Sequence, residues 1–350
     1  MLTVGVAVVV TVSLSASAPA TAADVERLLD RAVAVTRELP HSGRLTVASF
    51  STGGPQVTQV EVTRTVDGGL RLVRAGGWEL GHAGEHAFLK RPGTLLRLGG
   101  TERVPFDVAL LRAKYDVRLH GQRTLDTGIA TELRCYERDT GVLREVLYVD
   151  AATELIVRRE TYARDGAPVR VVAFTGVEVV ETAVQVPHPD GLDVEDHALT
   201  PAETSASRER GFVVAEELPG GYRLRGHQEV TGARVPTLHL VYSDGLYTLS
   251  LFEQQGRLSM EAVRRAERLT TTNGGAVWRW PGFEPRRVVW TGEGLTFTAL
   301  TDAPTDELLH VVAGLPADGP PSTMDRVARG LQRVGRWLWP LDRSGDRSEE

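Results

Sequence analysis

Apolar positions keep a helical period at the start of the chain and then change to alternation. Val25, Leu28, Leu29, Ala32 and Val35 recur at helical spacing before Pro40 and Gly43 stop them, which predicts an opening helix capped by Asp24. From Arg44 onward the runs are short and β-rich. Leu45-Thr46-Val47, Val60-Glu61-Val62 and Leu70-Arg71-Leu72 are divided by Gly53-Gly54-Pro55, Gly68-Gly69 and Gly76-Gly77. No helix-length segment separates them, so they read as an antiparallel meander and not as βαβ units. One helical break is predicted between Pro105 and Tyr115, with Val108, Leu110, Leu111 and Ala113 on its apolar side. Strands then resume. Glu154 to Tyr162 runs to a turn at Asp165-Gly166, and the chain returns through Val169 to Phe174 and Gly176 to Val179 as a hairpin. Residues 24–185 therefore predict a large antiparallel sheet covered by one or two helices.

Between Val186 and Arg210 the alternation fades into an acidic stretch punctuated by Pro187, Pro189 and Pro201, which reads as an interdomain linker over 186–210. A smaller α+β domain is predicted over 211–316. Leu238, Leu240 and Tyr242 lead into Ser243-Asp244-Gly245, and Tyr247, Leu249 and Leu251 lead out; a further strand pair is centred on Thr291-Gly292-Glu293-Gly294. His239, alternating within its strand, reads as a surface residue. Helices are expected over Ser259 to Leu269 and Thr305 to Ala313, the second stopped by Gly314. The fold class is thus mainly β with an α+β second domain.

Beyond Pro320-Pro321, Met324, Val327, Leu331, Val334 and Leu338 fall at intervals of 3, 4, 3 and 4, and Trp337 extends the stripe. Arg326, Arg329, Arg333 and Arg336 share that rhythm on other faces. This predicts a basic amphipathic helix over 322–340, suited to an anionic membrane surface, to a partner helix or to the protein's own body. An acidic, disordered tail is expected over 341–350.

The N-terminus bears on compartment. Leu2 to Leu14 is uncharged and apolar or small, 13 residues long, and is followed by Ala20-Thr21-Ala22. The run is shorter than the roughly 20 residues of a membrane span and resembles a signal peptide over 1–23, giving an exported protein. No basic residue precedes it, and the alternative is a buried apolar helix. With 350 residues, 41% hydrophobic and 25% charged, the chain is globular; its net charge of −6 gives no footing for nucleic acid. A lone cysteine, Cys135, excludes an intrachain disulfide and reads as a small core residue.

Catalytic chemistry has no signature. Gly-x-Ser-x-Gly, the P-loop, Gly-x-Gly-x-x-Gly and His-Glu-x-x-His are all missing. His82 and His86 have a spacing that could bind zinc on a helix, yet Gly81 and Gly84 among them favour a turn and no third ligand stands out. No enzyme, metal site or cofactor is predicted.

Three segments together resemble the MucB/RseB family of extracytoplasmic regulators. The first is Val25 to Val47, entering Leu39-Pro40-His41-Ser42-Gly43, where the family more often has an aromatic residue at the place of His41. The second is Leu147-Tyr148-Val149-Asp150, then Glu154 to Tyr162, Asp165-Gly166 and Val171 to Val177, similar to the hairpin of the lipoprotein-carrier (LolA/LolB-like) fold. The third is Gly211-Phe212, Leu218-Pro219-Gly220-Gly221-Tyr222, His239 to Leu246 and Leu251-Phe252-Glu253. Ala276-Val277-Trp278-Arg279-Trp280 and two lysines only, Lys90 and Lys114, give the layout an actinobacterial look.

The resemblance implies a regulator that binds the outer segment of a membrane-spanning anti-sigma factor and shields it from proteolysis, in an envelope stress response set off by lipid or lipoprotein. It implies an N-terminal half-barrel whose concave face takes acyl chains. The alternating apolar residues Val60, Val62, Leu72, Trp78, Phe88 and Leu96 are its candidate lining, or pack under covering helices. Tyr222, Tyr242, Tyr247 and Phe252 are candidate partner anchors, or core. Arg326, Arg329, Arg333, Arg336 and Trp337 are candidates for the membrane surface. A lipid or lipoprotein carrier is the alternative to the regulator.

Overall fold

The computed structural model describes residues 21–51, 54–66, 68–83, 86–91, 94–99, 106–180, 200–230, 235–271, 273–280 and 286–318. Helix α1 (Ala22–Glu38) starts earlier than its periodicity predicts. Thr21 is the cap, and Asp24, expected there, closes a capping box from the third helical position instead. Three of the predicted stripe, Val25, Leu29 and Ala32, are buried together with Val33, while Leu28 and Val35 are half-buried.

Eleven antiparallel strands follow in one sheet. β1 (His41–Ser51), β2 (Gly54–Arg64), β3 (Leu70–Arg74), β4 (Trp78–Ala83), β5 (His86–Arg91) and β6 (Thr94–Gly99) meander outward. After α2 (Val108–Lys114), β7 (Tyr115–Leu125), β8 (Gly128–Glu137), β9 (Leu143–Asp150), β10 (Ile156–Tyr162) and β11 (Pro168–Val179) meander back, and β11 closes on β1. The order is β6-β5-β4-β3-β2-β1-β11-β10-β9-β8-β7. Helix α1 lies against β7, β10 and α2, so helical cover sits at one end of the sheet. The C-terminal end of α1 also reaches β2, where Arg64 donates to the Arg37 carbonyl at 3.0 Å.

Inside the predicted linker stands a helix, α3 (Pro201–Glu209), with Thr200 and Glu203 forming a capping box and Pro201 in the first turn. Its only buried residue is Ser207, which is why apolar periodicity missed it. A second antiparallel sheet then forms in the order β12-β13-β14-β15-β19-β18-β17-β16. Its strands are β12 (Glu217–Leu218), β13 (Tyr222–Glu229), β14 (Thr237–Ser243), β15 (Thr248–Gln255), β16 (Glu267–Thr270), β17 (Ala276–Arg279), β18 (Arg286–Gly292) and β19 (Leu295–Thr301). The β18–β19 hairpin turns on Glu293 and Gly294, both at positive φ, 52° and 81°, as a two-residue primed turn requires. Helix α4 (Thr305–Val312) buries Glu307, Leu308, Val311 and Val312 and ends where predicted.

Two expectations for this sheet fail. Ser259 to Leu269 is not a helix: its backbone makes three-residue turns, and Leu269 pairs with Val277 in β16. Only Val263 is buried, while Met260 faces solvent, so the apolar spacing had no core to dock on. His239 is not at the surface. Every residue of β14 is buried, and His239 stacks on Phe252 with ring centroids 4.2 Å apart. Burial pushes its imidazole down to about 4.

Across β14, Glu253 is buried too and accepts the Val213 N–H at 2.7 Å. Burial pushes its carboxyl from 4.5 up to about 8, against the weaker pull of that N–H. The raised value fixes the sign. Unfolded Glu253 ionises above about 4.5, so its stabilising contribution is complete below that and is lost as pH climbs to about 8. Glu253→Gln, which keeps the neutral shape, is expected to flatten this slope and to exceed the wild type by about 1–3 kcal/mol at pH 8.5. Urea melts of both forms at pH 5 and pH 8.5 check it; a parallel loss in both forms contradicts it.

Candidate functional site

The first candidate is the uncovered apolar face of the large sheet. Strand register sets Val177, Gly43, Val62, Leu72 and Leu80 in one cross-strand row, and Phe174, Leu45, Val60, Arg74 and Trp78 in the next. Phe174 and Val177, like Val35 of α1, pack against the buried cluster of Ala130, Leu155 and Val157, so these rows run outward from the helix-covered end. Gly43 holds the inner row open: a Cβ there would meet the Gly176 carbonyl oxygen at 2.4 Å and Phe174 at 3.1 Å.

Burial declines along the first row. Val62 is 4% exposed, Leu72 is half-buried and Leu80 is 38% exposed. The opposite face carries ionic pairs such as Arg71 to Glu79 at 2.7 Å. One face of β1–β4 is therefore mainly apolar, with Arg74 at its exposed side, and progressively open to solvent, and the other carries charge. Val60, Val62, Leu72 and Trp78 share the open face. Leu96 pairs with Leu89, which pairs with Leu80, so its backbone position is in phase with them. Phe88 pairs with Gly81 and Arg97 and belongs to the alternate set. The side chains of Phe88 and Leu96 lie outside the described residues. His82 and His86 sit on opposite strands of the β4–β5 hairpin, not on a helix.

The second candidate is the seam between the sheets, where two of the four candidate anchors lead. Tyr222 and Tyr247 are buried in it; Tyr242 is buried beneath the second sheet and donates to the Ala215 carbonyl at 2.9 Å. Phe252 is half-buried under His239. Three of these rings are thus core, and Phe252 alone keeps partial exposure.

Ser243-Asp244-Gly245-Leu246, the β14–β15 turn, is driven into α2. Gly245 has φ +95°, and a Cβ on it would lie 2.1 Å from the Leu111 nitrogen. Only glycine permits that approach. Asp244 is fully buried. One carboxylate oxygen accepts the N–H groups of Leu246 and Tyr247 at 3.0 and 2.8 Å. The other takes Lys114 Nζ at 2.6 Å and the Tyr115 hydroxyl at 2.7 Å.

Glu307 of α4 extends the cluster. It accepts from Lys114 at 3.0 Å and Arg164 at 3.0 Å, and contacts Arg144 at 3.4 Å. Asp306 accepts the Arg164 N–H at 3.1 Å and faces Arg144 at 3.4 Å. Tyr247 returns the contact, its hydroxyl donating to the Arg144 carbonyl at 3.1 Å. Burial pushes the hydroxyls of Tyr115, Tyr222 and Tyr247 well above 10, so they stay protonated. Burial also works to raise the Glu307 carboxyl, but Lys114, Arg144 and Arg164 outweigh it and hold the group below 4.5.

Sequence reasoning placed Ser243-Asp244-Gly245 in a turn but gave it no partner. Lys114 and Glu307 stand 130 and 193 residues from the groups they bind, and no local spacing encodes that. Residues 1–20 and 319–350, which contain the signal-like segment and Arg326, Arg329, Arg333, Arg336 and Trp337, lie outside the described residues. Among the described residues no helix is long and apolar enough to cross a membrane, and no group of His, Cys, Asp or Glu could hold a metal ion.

No protein-family model and no curated protein matches the sequence. Solved structures do. The MucB chain of the Pseudomonas aeruginosa MucA/MucB complex superposes with TM-score 0.52 at 19% identity, over 85% of this chain and 100% of that one. A crystal structure of MucB gives 0.48 at 19%, over 85% and 99%. A LolA-superfamily protein from Nitrosomonas europaea gives 0.24 at 12%, over 49% of this chain and 97% of its own. The likeness to the MucB chain of that complex is one of fold, mainly β with two antiparallel sheets, as expected from the sequence.

Glu307 is the most exacting group of the seam. Its lowered pKa means that it stabilises the fold above the ordinary carboxylate range and ceases to as pH falls through its folded value. Glu307→Gln leaves Lys114 and Arg144 short of a counter-charge in a buried place. The expected loss is about 3–5 kcal/mol at pH 7, shrinking toward pH 3. Chemical denaturation at both pH values measures it, and a loss under 1 kcal/mol at pH 7 contradicts the buried pairing.

Proposed function

We propose that this chain is an extracytoplasmic, non-enzymatic binding protein that engages the outer segment of a membrane-spanning anti-sigma factor and protects it from regulated proteolysis. One observation carries the reading: the fold is shared with the MucB chain of a MucA/MucB complex over the whole of that chain. The likeness spans both sheets. A carrier that only shuttles lipid has no use for the second sheet, with its docked turn and α4.

A lipid-facing role is the second reading, favoured by the open row from Val62 to Leu80. Each methylene moved from water onto such a face contributes about 0.8 kcal/mol, so a modest length of acyl chain suffices for binding. In the regulator, occupancy of this face is the signal that loosens the grip on the partner; in a carrier it is the cargo.

The discriminating experiment is co-purification of the chain with the outer segment of an anti-sigma protein encoded beside a sigma factor in the same genome. Retention of that segment is the expected result. Failure to retain it, with lipid still copurifying, favours the carrier. Leu80→Asp tests the apolar face separately: the side chain is 38% exposed, so a loss of about 1–2 kcal/mol is expected and the chain should stay folded. Binding of a fluorescent fatty acid should weaken about tenfold or more. Equal affinity in the two forms removes the β1–β4 face as the lipid site.

A further inference from the structure

The seam is sorted by charge. Around the docked turn, the first sheet and its helices supply Lys114, Arg144 and Arg164, while the second supplies Asp244, Asp306 and Glu307. Arg170 and Asp302, 3.9 Å apart, keep the same sense. The first sheet also places two buried carboxylates here, Glu145 beside the Tyr247 hydroxyl at 3.3 Å and Glu137 on Arg164 at 3.3 Å, and the sense reverses at the wetter rim, where Arg225 of the second sheet meets Asp107 at 2.7 Å. Beneath the charges the apolar core does not stop at the boundary. Leu29, Leu111 and Tyr115 from one side and Tyr222, Leu246, Tyr247 and Leu308 from the other belong to one continuous buried cluster.

We infer that this charge-sorted seam welds the two sheets into a single cooperative unit, with the Ser243–Leu246 turn as its key. The two halves do not behave as separately folding, linker-joined domains. Parting them would strand like charges on each side: Lys114 and Arg144 on one, Asp244 and Glu307 on the other, all buried now except Lys114, which is partly buried. Each would need rehydration at the same moment that the apolar cluster is opened. No part of the seam can therefore open alone at low cost, and Gly245 leaves no slack for the turn to slide over α2. The consequence is coupling. A ligand or partner held by either sheet stabilises both by the same free energy, because they share one unfolding equilibrium.

Scanning calorimetry of the full chain tests this with two variants that attack the seam differently. Gly245→Ala inserts a methyl group where Leu111 already sits and alters no charge. Glu307→Gln removes the charge and keeps the shape. The wild type should melt in one transition whose van't Hoff and calorimetric enthalpies agree, with a ratio of about 1. In folded variants, checked by far-ultraviolet circular dichroism, the ratio should fall well below 1 or the peak should split in two. Failure of both variants to fold, with a single wild-type transition, is the same result in its extreme form. Two transitions in the wild type overturn the inference. So do folded variants that keep one transition and a ratio of about 1, since the coupling would then lie outside the seam.

Discussion

The carboxylate of Asp244 is the contact on which the architecture turns. It is fully buried, which is costly for an ionised group without partners, and it is fully partnered: two backbone N–H groups of its own turn, one lysine and one tyrosine hydroxyl. Half of that coordination comes from the second sheet and half from the first. The turn is shaped by the same group that docks it. Gly245 lets the backbone touch α2, and α4 brings Glu307 to the far side of Lys114. Net stability from buried ion pairs is modest compared with apolar packing, yet their geometric demands are strict. What the cluster provides is a fixed relation between two sheets that also share one apolar core.

That fixed relation leaves a consequence at the opposite end of the molecule. Helices α1 and α2 are engaged chiefly where the seam is, against β7 and β10, and α1 meets β2 at its C-terminal end, where Arg64 donates to the Arg37 carbonyl. An antiparallel sheet with one apolar and one charged face is ordinarily covered on the apolar side. Here the cover ends near Phe174 and Val177, and burial falls from Val62 to Leu80. The protein is thus densely packed at the junction and more open on its outer strands.

How much of this is written locally differs from element to element. The hairpins at Asp165-Gly166, Asp244-Gly245 and Glu293-Gly294 were legible because turn chemistry is local. So was the stripe of α1. Helix α3 was missed because only Ser207 is buried, although Thr200 and Glu203 have the Ser/Thr-x-x-Glu spacing of a capping box that could have found it. Ser259 to Leu269 shows the reverse error: its apolar residues are spaced for a helix, but pairing with β17 decides. Alternation also misplaced His239, because a strand covered on both faces buries its polar positions too. The open face was half legible: period and register agree for Val60, Val62, Leu72 and Trp78, while Phe88 falls out of phase through the β4–β5 register. The seam could not be read at all. Its pairs join residues more than a hundred positions apart, each of an ordinary type in an ordinary place.

Amide hydrogen exchange of the full chain under native conditions tests the central claim most directly. The Leu246 and Tyr247 amides, held by Asp244, belong to a surface turn by topology and to the buried junction by structure. They should exchange as slowly as amides of Leu133 in the first sheet and Leu251 in the second, with one shared opening free energy. Exchange at these two amides several orders of magnitude faster than in the core strands would show that the turn opens by itself, and that the two sheets are not joined as described.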